Sequence, residues 1–303
     1  KTTWRKDMSK LNKALDKARI ERDNSTLAGT IYPPENHTDK LSKAYEKASK
    51  NFKDLYTSPK THLQHTQHVG KELKPVYTQT QVVTPPENIL RECRILPRLY
   101  KDTVHDSYIF LWTQILQRCQ EKGWNSLMIS SAHPSEGKTL TAINLAMTIA
   151  REVSLTSLLV EANFRNPKLC TYFGLDEQKP GLSDYLVNGI GIQDILFSPN
   201  MDKLVILPAG NHTTPHTRLL SSPKMKTLVQ EFKTKYHDRY IIYDCPHILD
   251  MPDSLTFSSY VDAVLLIVES GKTSQHDIKN AINILTERDV NILGIVLNKS
   301  RYN

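Results

Sequence analysis

The chain has 303 residues, 39% of them hydrophobic and 23% charged, with a formal net charge of +7. This is enough for one large α/β domain plus an appendage. Apolar runs such as Ala263 to Val268 fall far short of the roughly 18 residues that cross a bilayer, and no secretory leader is visible. The four cysteines, Cys93, Cys119, Cys170 and Cys245, make no Cys-x-x-Cys pair, which argues against a zinc knuckle or a disulfide framework and for a reducing cytoplasm.

Charge is concentrated at the start. Residues 1–90 carry 16 Lys and Arg against 10 Asp and Glu, an excess of six out of the total of seven. After Ser9 as a cap, Met8, Leu11, Ala14, Leu15 and Ala18 recur at helical spacing while Lys10, Lys13, Lys17 and Arg19 fall on other faces, the pattern of a short amphipathic helix. Such a helix docks a partner or an anionic membrane surface, or lies solvated on the protein's own body. A second basic helical stretch runs from Asp39 to Tyr56, so residues 1–57 read as a basic, partly helical extension. Residues 58–94 are polar, with His62, His65, His68, Pro75, Pro85 and Pro86, and read as a linker. The histidines lack nearby carboxylates or cysteines, so a polar tract is expected rather than a metal site. The basic residues are not interleaved with aromatics or glycine, and no nucleic acid is expected as a partner.

From residue 95 to 303 the pattern alternates strands and helices, the mark of a mostly parallel sheet covered by helices on both faces. Strand-like Leu127-Met128-Ile129 leads through Ser130 to Thr139 into a helix-like stretch from Leu140 to Ala150. From Ala132 the spacing is that of a phosphate-binding loop, with Ala in place of its first Gly. The loop amides and the helix N-terminus would cradle phosphates, Lys138 would reach the β/γ oxygens and Thr139 would hold Mg²⁺. Further apolar strands follow at Ser157–Glu161, Leu204–Leu207, Tyr240–Asp244, Ala263–Val268 and Ile292–Leu297, with helices at Lys224–Tyr236 and Gln275–Arg288. Asp244 closes a strand downstream of the loop, where a Walker B carboxylate meets magnesium. Glu161 ends another strand and could face the phosphates from the opposite side.

On these residues the chain resembles the bacterial tyrosine kinases of capsule and exopolysaccharide synthesis, the CpsD/CapB group. The likeness runs over roughly residues 106–300: the loop from Ser131 to Thr139, Leu158 to Pro167 as a Walker A′ segment, Tyr172-Phe173-Gly174-Leu175, Pro180 to Asp184, Leu207 to Gly210, Leu219 to Ser222, Ile241 to Pro246 as Walker B, and Gly294 to Lys299. Ser9 to Ala18 is also similar to the N-terminal helix of exopolysaccharide-associated autokinases. The resemblance implies a P-loop NTPase fold and an ATP- and Mg²⁺-dependent kinase that phosphorylates tyrosines on itself or its neighbours. It implies a cytoplasmic location, peripheral at the inner membrane, beside a transmembrane polysaccharide chain-length or co-polymerase protein, and a homo-oligomeric assembly. Lys138, Glu161 and Asp244 would be catalytic. Pro134, Ser135, Glu136, Gly137, Lys138, Thr139, Leu140 and Asn298 would line the nucleotide, Asn298 at the adenine. Thr139, Glu161 and Asp244 would hold the metal.

Departures from the resembled pattern define two rival expectations. Glu161 and Asn163 stand where the family's A′ motif has two aspartates, and His133 and Ser135 replace loop glycines. Asp106, Ile109 and Trp112 occupy the register of a Glu-x-x-Arg-x-x-Arg helix that joins family subunits, and the end carries a lone Tyr302 rather than a tyrosine cluster. The loss of two guanidinium forks points to local packing by the apolar replacements. A catalytically weak ATP-binding regulator of a membrane polysaccharide assembly is therefore the first alternative to a kinase. A partitioning or septum-site type ATPase is the second, disfavoured because Ala132-His133-Pro134 lacks the signature lysine of those loops.

Overall fold

The computed structural model describes residues 80–95, 103–201, 203–210, 216–235 and 238–300. Both tail helices expected within residues 1–57, and Tyr302, lie outside the described residues. The strands are β1 Gln81–Val82, β2 Ser126–Ser131, β3 Thr156–Glu161, β4 Phe197–Ser198, β5 Leu204–Leu207, β6 Arg239–Asp244, β7 Ala263–Glu269 and β8 Ile292–Asn298. They form one sheet in the order β1-β4-β5-β3-β6-β2-β7-β8. All pairings are parallel except β4 with β5.

The expected sheet, covered on both faces, is what the structure has, and side-chain alternation along the strands explains why. Leu127 and Ile129 of β2 pack to one face with Leu159 of β3 and Ile242 of β6. Met128, Leu158, Val160, Ile241 and Tyr243 pack to the other. Helices α2 (Thr103–Lys122) and α3 (Lys138–Ala150) cover the first face with Trp112, Ile115, Ile143 and Leu145. The second is covered by α8 (Pro223–Lys235) through Met225, Leu228, Val229 and Phe232, and by α10 (Gln275–Thr286) through Ile278, Ala281 and Leu285. Shorter helices fill the connections: α1 Glu87–Glu92, α4 Leu169–Tyr172, α5 Leu182–Asn188, α6 Ile192–Ile195, α7 His216–Leu220 and α9 Pro252–Ser258.

Two features lie beyond the simple alternating pattern. Residues 80–94, inside the expected linker, carry β1 and α1. Gln81 and Val82 pair with Phe197 and Ser198, and Pro86 and Ile89 pack so closely on Gly174 that a side chain there would strike Ile89. Trp112, the last position of the altered helix motif, points inward: it is 1% exposed and meets Tyr240 edge-on at 4.9 Å. Asp106 is exposed on the same helix. Among the described residues, no helix is long and apolar enough to cross a membrane.

Candidate nucleotide site

The C-terminal ends of β2, β3 and β6 lie side by side, and ligands of open parallel sheets bind at this edge. The pairing of Ile129 with Asp244 and of Asp244 with Glu161 places the loop after β2 and both carboxylates on neighbouring strand ends. The chain after β6 is stitched to the start of the loop: Ile248 N–H donates to Ser131 O (2.7 Å) and Leu249 N–H to Ala132 O (3.3 Å).

The loop runs into α3 at Gly137, whose φ of 94° lies in the left-handed region and where a Cβ would collide with the Asn298 side-chain amide. No side chain caps α3, so its first N–H groups are left for an anionic ligand. Pro134 and Ser135 are exposed on the loop and Lys138 is half-buried; Leu140 packs its side chain against the core, leaving its backbone to the site. Glu136 is buried, its carboxylate accepting His133 N–H (2.9 Å) and the Thr273 hydroxyl. It therefore braces the loop from behind. Asn298 Nδ2 donates to Glu136 O at 2.8 Å, so this side chain shapes the loop as well as bordering it.

Thr139 and Asp244 are brought together. The Thr139 hydroxyl donates to Asp244 Oδ2 at 2.7 Å, while Asp244 Oδ1, fully buried, has no hydrogen-bond partner. A buried carboxylate oxygen left unpaired costs free energy unless a cation takes it up. Burial raises the Asp244 carboxyl to about 6, with the Lys138 charge and the Thr139 hydrogen bond acting against the rise. A hydroxyl and one carboxylate oxygen beside a lysine are hard donors that suit Mg²⁺, which completes its shell with water and phosphate oxygens.

Glu161 has a different environment from the one its strand-end position suggests. It is 1% exposed, and both carboxylate oxygens are occupied by backbone donors. Oε1 accepts Lys168 N–H (2.5 Å) and Leu169 N–H (2.8 Å) at the start of α4, and Oε2 accepts Ala209 N–H (3.1 Å). Burial raises its carboxyl to about 7, the three N–H donors pulling down and Asp244 pushing up. Asn163 is buried nearby in sequence. Two residues given no role from sequence also border the loop. His247 is held below its ordinary pKa by burial and by the charges of Lys138 and His133, and Lys299 donates to Ser135 O at 2.8 Å. Lys299 had a visible signal, since it follows Asn298 directly at the end of β8.

These raised carboxyls fix the sign of a pH dependence. Glu161 rises from an ordinary 4.5 to about 7 and Asp244 from 3.8 to about 6, so the folded metal-free protein binds more protons than the unfolded chain between about pH 4 and 7. Stability is fully present below the unfolded values and is lost as pH rises through the folded ones. Glu161→Gln lacks one of these groups, so the metal-free variant should gain melting temperature relative to the metal-free starting protein as pH rises from 4.5 to 7. A difference between the two proteins that stays constant over this interval would contradict the burial of the Glu161 charge.

No protein-family model matches the chain. It is 31% identical over 173 residues to the tyrosine-protein kinase CpsD of Streptococcus pneumoniae, covering 57% of this chain and 75% of CpsD. It is also 31% identical over 193 residues to the tyrosine-protein kinase YwqD of Bacillus subtilis, covering 64% of this chain and 80% of YwqD. Among solved structures, the VpsO kinase domain superposes with a TM-score of 0.59 at 27% identity, over 65% of this chain and 96% of that one. The chimerical protein CapA2B2 superposes at 0.63 with 22% identity, over 73% and 94%, a likeness of fold. With two relatives above 30% identity matched over three quarters or more of their length, and the same P-loop sheet beneath the site, the chain belongs to the bacterial tyrosine-protein kinase family.

Proposed function

We propose that the protein is an ATP-dependent protein-tyrosine kinase, acting on itself or its neighbours, that regulates capsule or exopolysaccharide polymerisation and export. The observation that carries this reading is the Thr139–Asp244 pair with its orphaned Oδ1, set beside Lys138 at the uncapped start of α3. Bound Mg²⁺ would neutralise charge on the transferring phosphate, and Thr139 and Asp244 are the residues to hold it. Lys138 faces the same phosphates as a fixed cation, and the backbone from Pro134 to Leu140 frames them. Asn298, whose amide nitrogen is engaged with the loop, keeps its oxygen for a donor on the adenine. Glu161, bound to three N–H groups, acts as a strut between β3, the start of α4 and Ala209 just beyond β5, rather than as a free metal ligand. By family likeness, the working place is the cytoplasmic face of the inner membrane beside a transmembrane polysaccharide chain-length protein, with self-association between copies.

The occupied carboxylate of Glu161 and the neutral Asn163 favour one second reading, an ATP-binding regulator with little chemistry of its own. Asn163→Asp separates the two, because it restores a negative charge without shortening Glu161 away from its three donors. For a slowed kinase, phosphotyrosine formation should rise about tenfold with Mg²⁺-ATP, equivalent to about 1.4 kcal/mol off the barrier. A folded, ATP-binding Asn163→Asp protein that stays silent by phosphotyrosine detection would leave the regulator as the better account.

A further inference from the structure

We infer, resting on the nucleotide-site reading above, that Lys299 is a positioning residue that holds the phosphate-binding loop in its binding shape before a nucleotide arrives, with Thr273 as its support. Ser135 has a φ of 65°, a left-handed conformation that a residue with a Cβ adopts only when its surroundings impose it. The constraint is visible on the carbonyl side. Lys299 Nζ donates to Ser135 O at 2.8 Å, and the same ammonium is fixed from behind by Glu269 Oε2 at 3.0 Å. The next carbonyl, that of Glu136, is taken by Asn298 Nδ2.

The support continues through the turn after β7. Thr273 donates to the Glu136 carboxylate, and its oxygen accepts Glu269 N–H at 2.9 Å. One acidic residue, Glu269, thus anchors both branches, through its backbone to Thr273 and through its side chain to Lys299. With the carbonyls of Ser135 and Glu136 tied back to the protein, the N–H groups on the other side of the loop and at the start of α3 are left to converge on an anion, the arrangement of a backbone nest. Glycine would need no such restraint at position 135, whereas serine does.

The test is a rescue. Lys299→Met keeps the aliphatic stem of an exposed side chain and removes the ammonium, so folding should be retained. By calorimetry, ATP and ADP should both bind about fivefold more weakly, the worth of one hydrogen bond. Adding Ser135→Gly should bring both affinities back to within about twofold of the starting protein, because glycine adopts the left-handed turn unaided. Unchanged binding in Lys299→Met would overturn the inference. So would a loss confined to ATP that Ser135→Gly does not repair, since that pattern belongs to a lysine acting by charge on the phosphates. Hydrogen exchange of the loop amides without nucleotide reads the latch separately and should be faster in Lys299→Met; unchanged exchange would overturn the inference even if the starting protein bound no nucleotide, a result that would by itself sink the nucleotide-site reading.

Discussion

Asp244→Asn should abolish the effect of magnesium on ATP binding and lower phosphotyrosine formation by about a hundredfold or more, the usual cost of removing one electrostatic group aimed at developing charge. The native side chain offers a buried, unpaired Oδ1 next to the Thr139 hydroxyl. Asparagine keeps the shape and removes the charge, leaving Thr139 as a neutral ligand. Since burial raises the Asp244 carboxyl to about 6, removing that charge relieves a desolvation cost, and the metal-free variant should be at least as stable as the starting protein above pH 6. Calorimetric titration with Mg²⁺ or with chelator, paired with a melting curve, checks both halves. Undiminished magnesium dependence would take Asp244 out of the site.

The second large effect concerns the scaffold. Trp112→Ala should cost about 3–5 kcal/mol, because it removes a fully buried indole and the edge-on partner of Tyr240 from the face that also seats α3. Denaturant unfolding with an unchanged slope would measure it, and a loss under about 1 kcal/mol would place Trp112 outside the core. The same substitution bears on assembly: a side chain spent on its own protomer's core has no part in joining subunits.

The six strands from β5 across to β8 were legible because parallel strands in a covered sheet are continuous apolar runs, and β2, β3 and β7 are buried almost end to end. The edge was not. β1 and β4 are two residues each, too short to show a period, and β4 reverses direction against β5. At the site, spacing alone singled out Lys138 and Thr139 and the end of an apolar strand singled out Asp244, and the fold brings Thr139 and Asp244 into hydrogen-bond contact. Sequence could not show that Glu161 is occupied, because its donors at Lys168, Leu169 and Ala209 lie 7, 8 and 48 residues away and meet it only through the fold. Lys299 and Ser135 are 164 residues apart, so their contact has no signal in local spacing, although Ser135 in place of a loop glycine does mark a position where a positive φ is needed.

The central claim is that this site transfers phosphate to tyrosine. Purified protein incubated with Mg²⁺-ATP and probed for phosphotyrosine beside Lys138→Met measures it directly, with mass spectrometry locating the modified residues. The account predicts phosphotyrosine in the starting protein and at least about a hundredfold less in a folded Lys138→Met variant. Equal signal in the two proteins, or none in a starting protein that binds ATP, would contradict it.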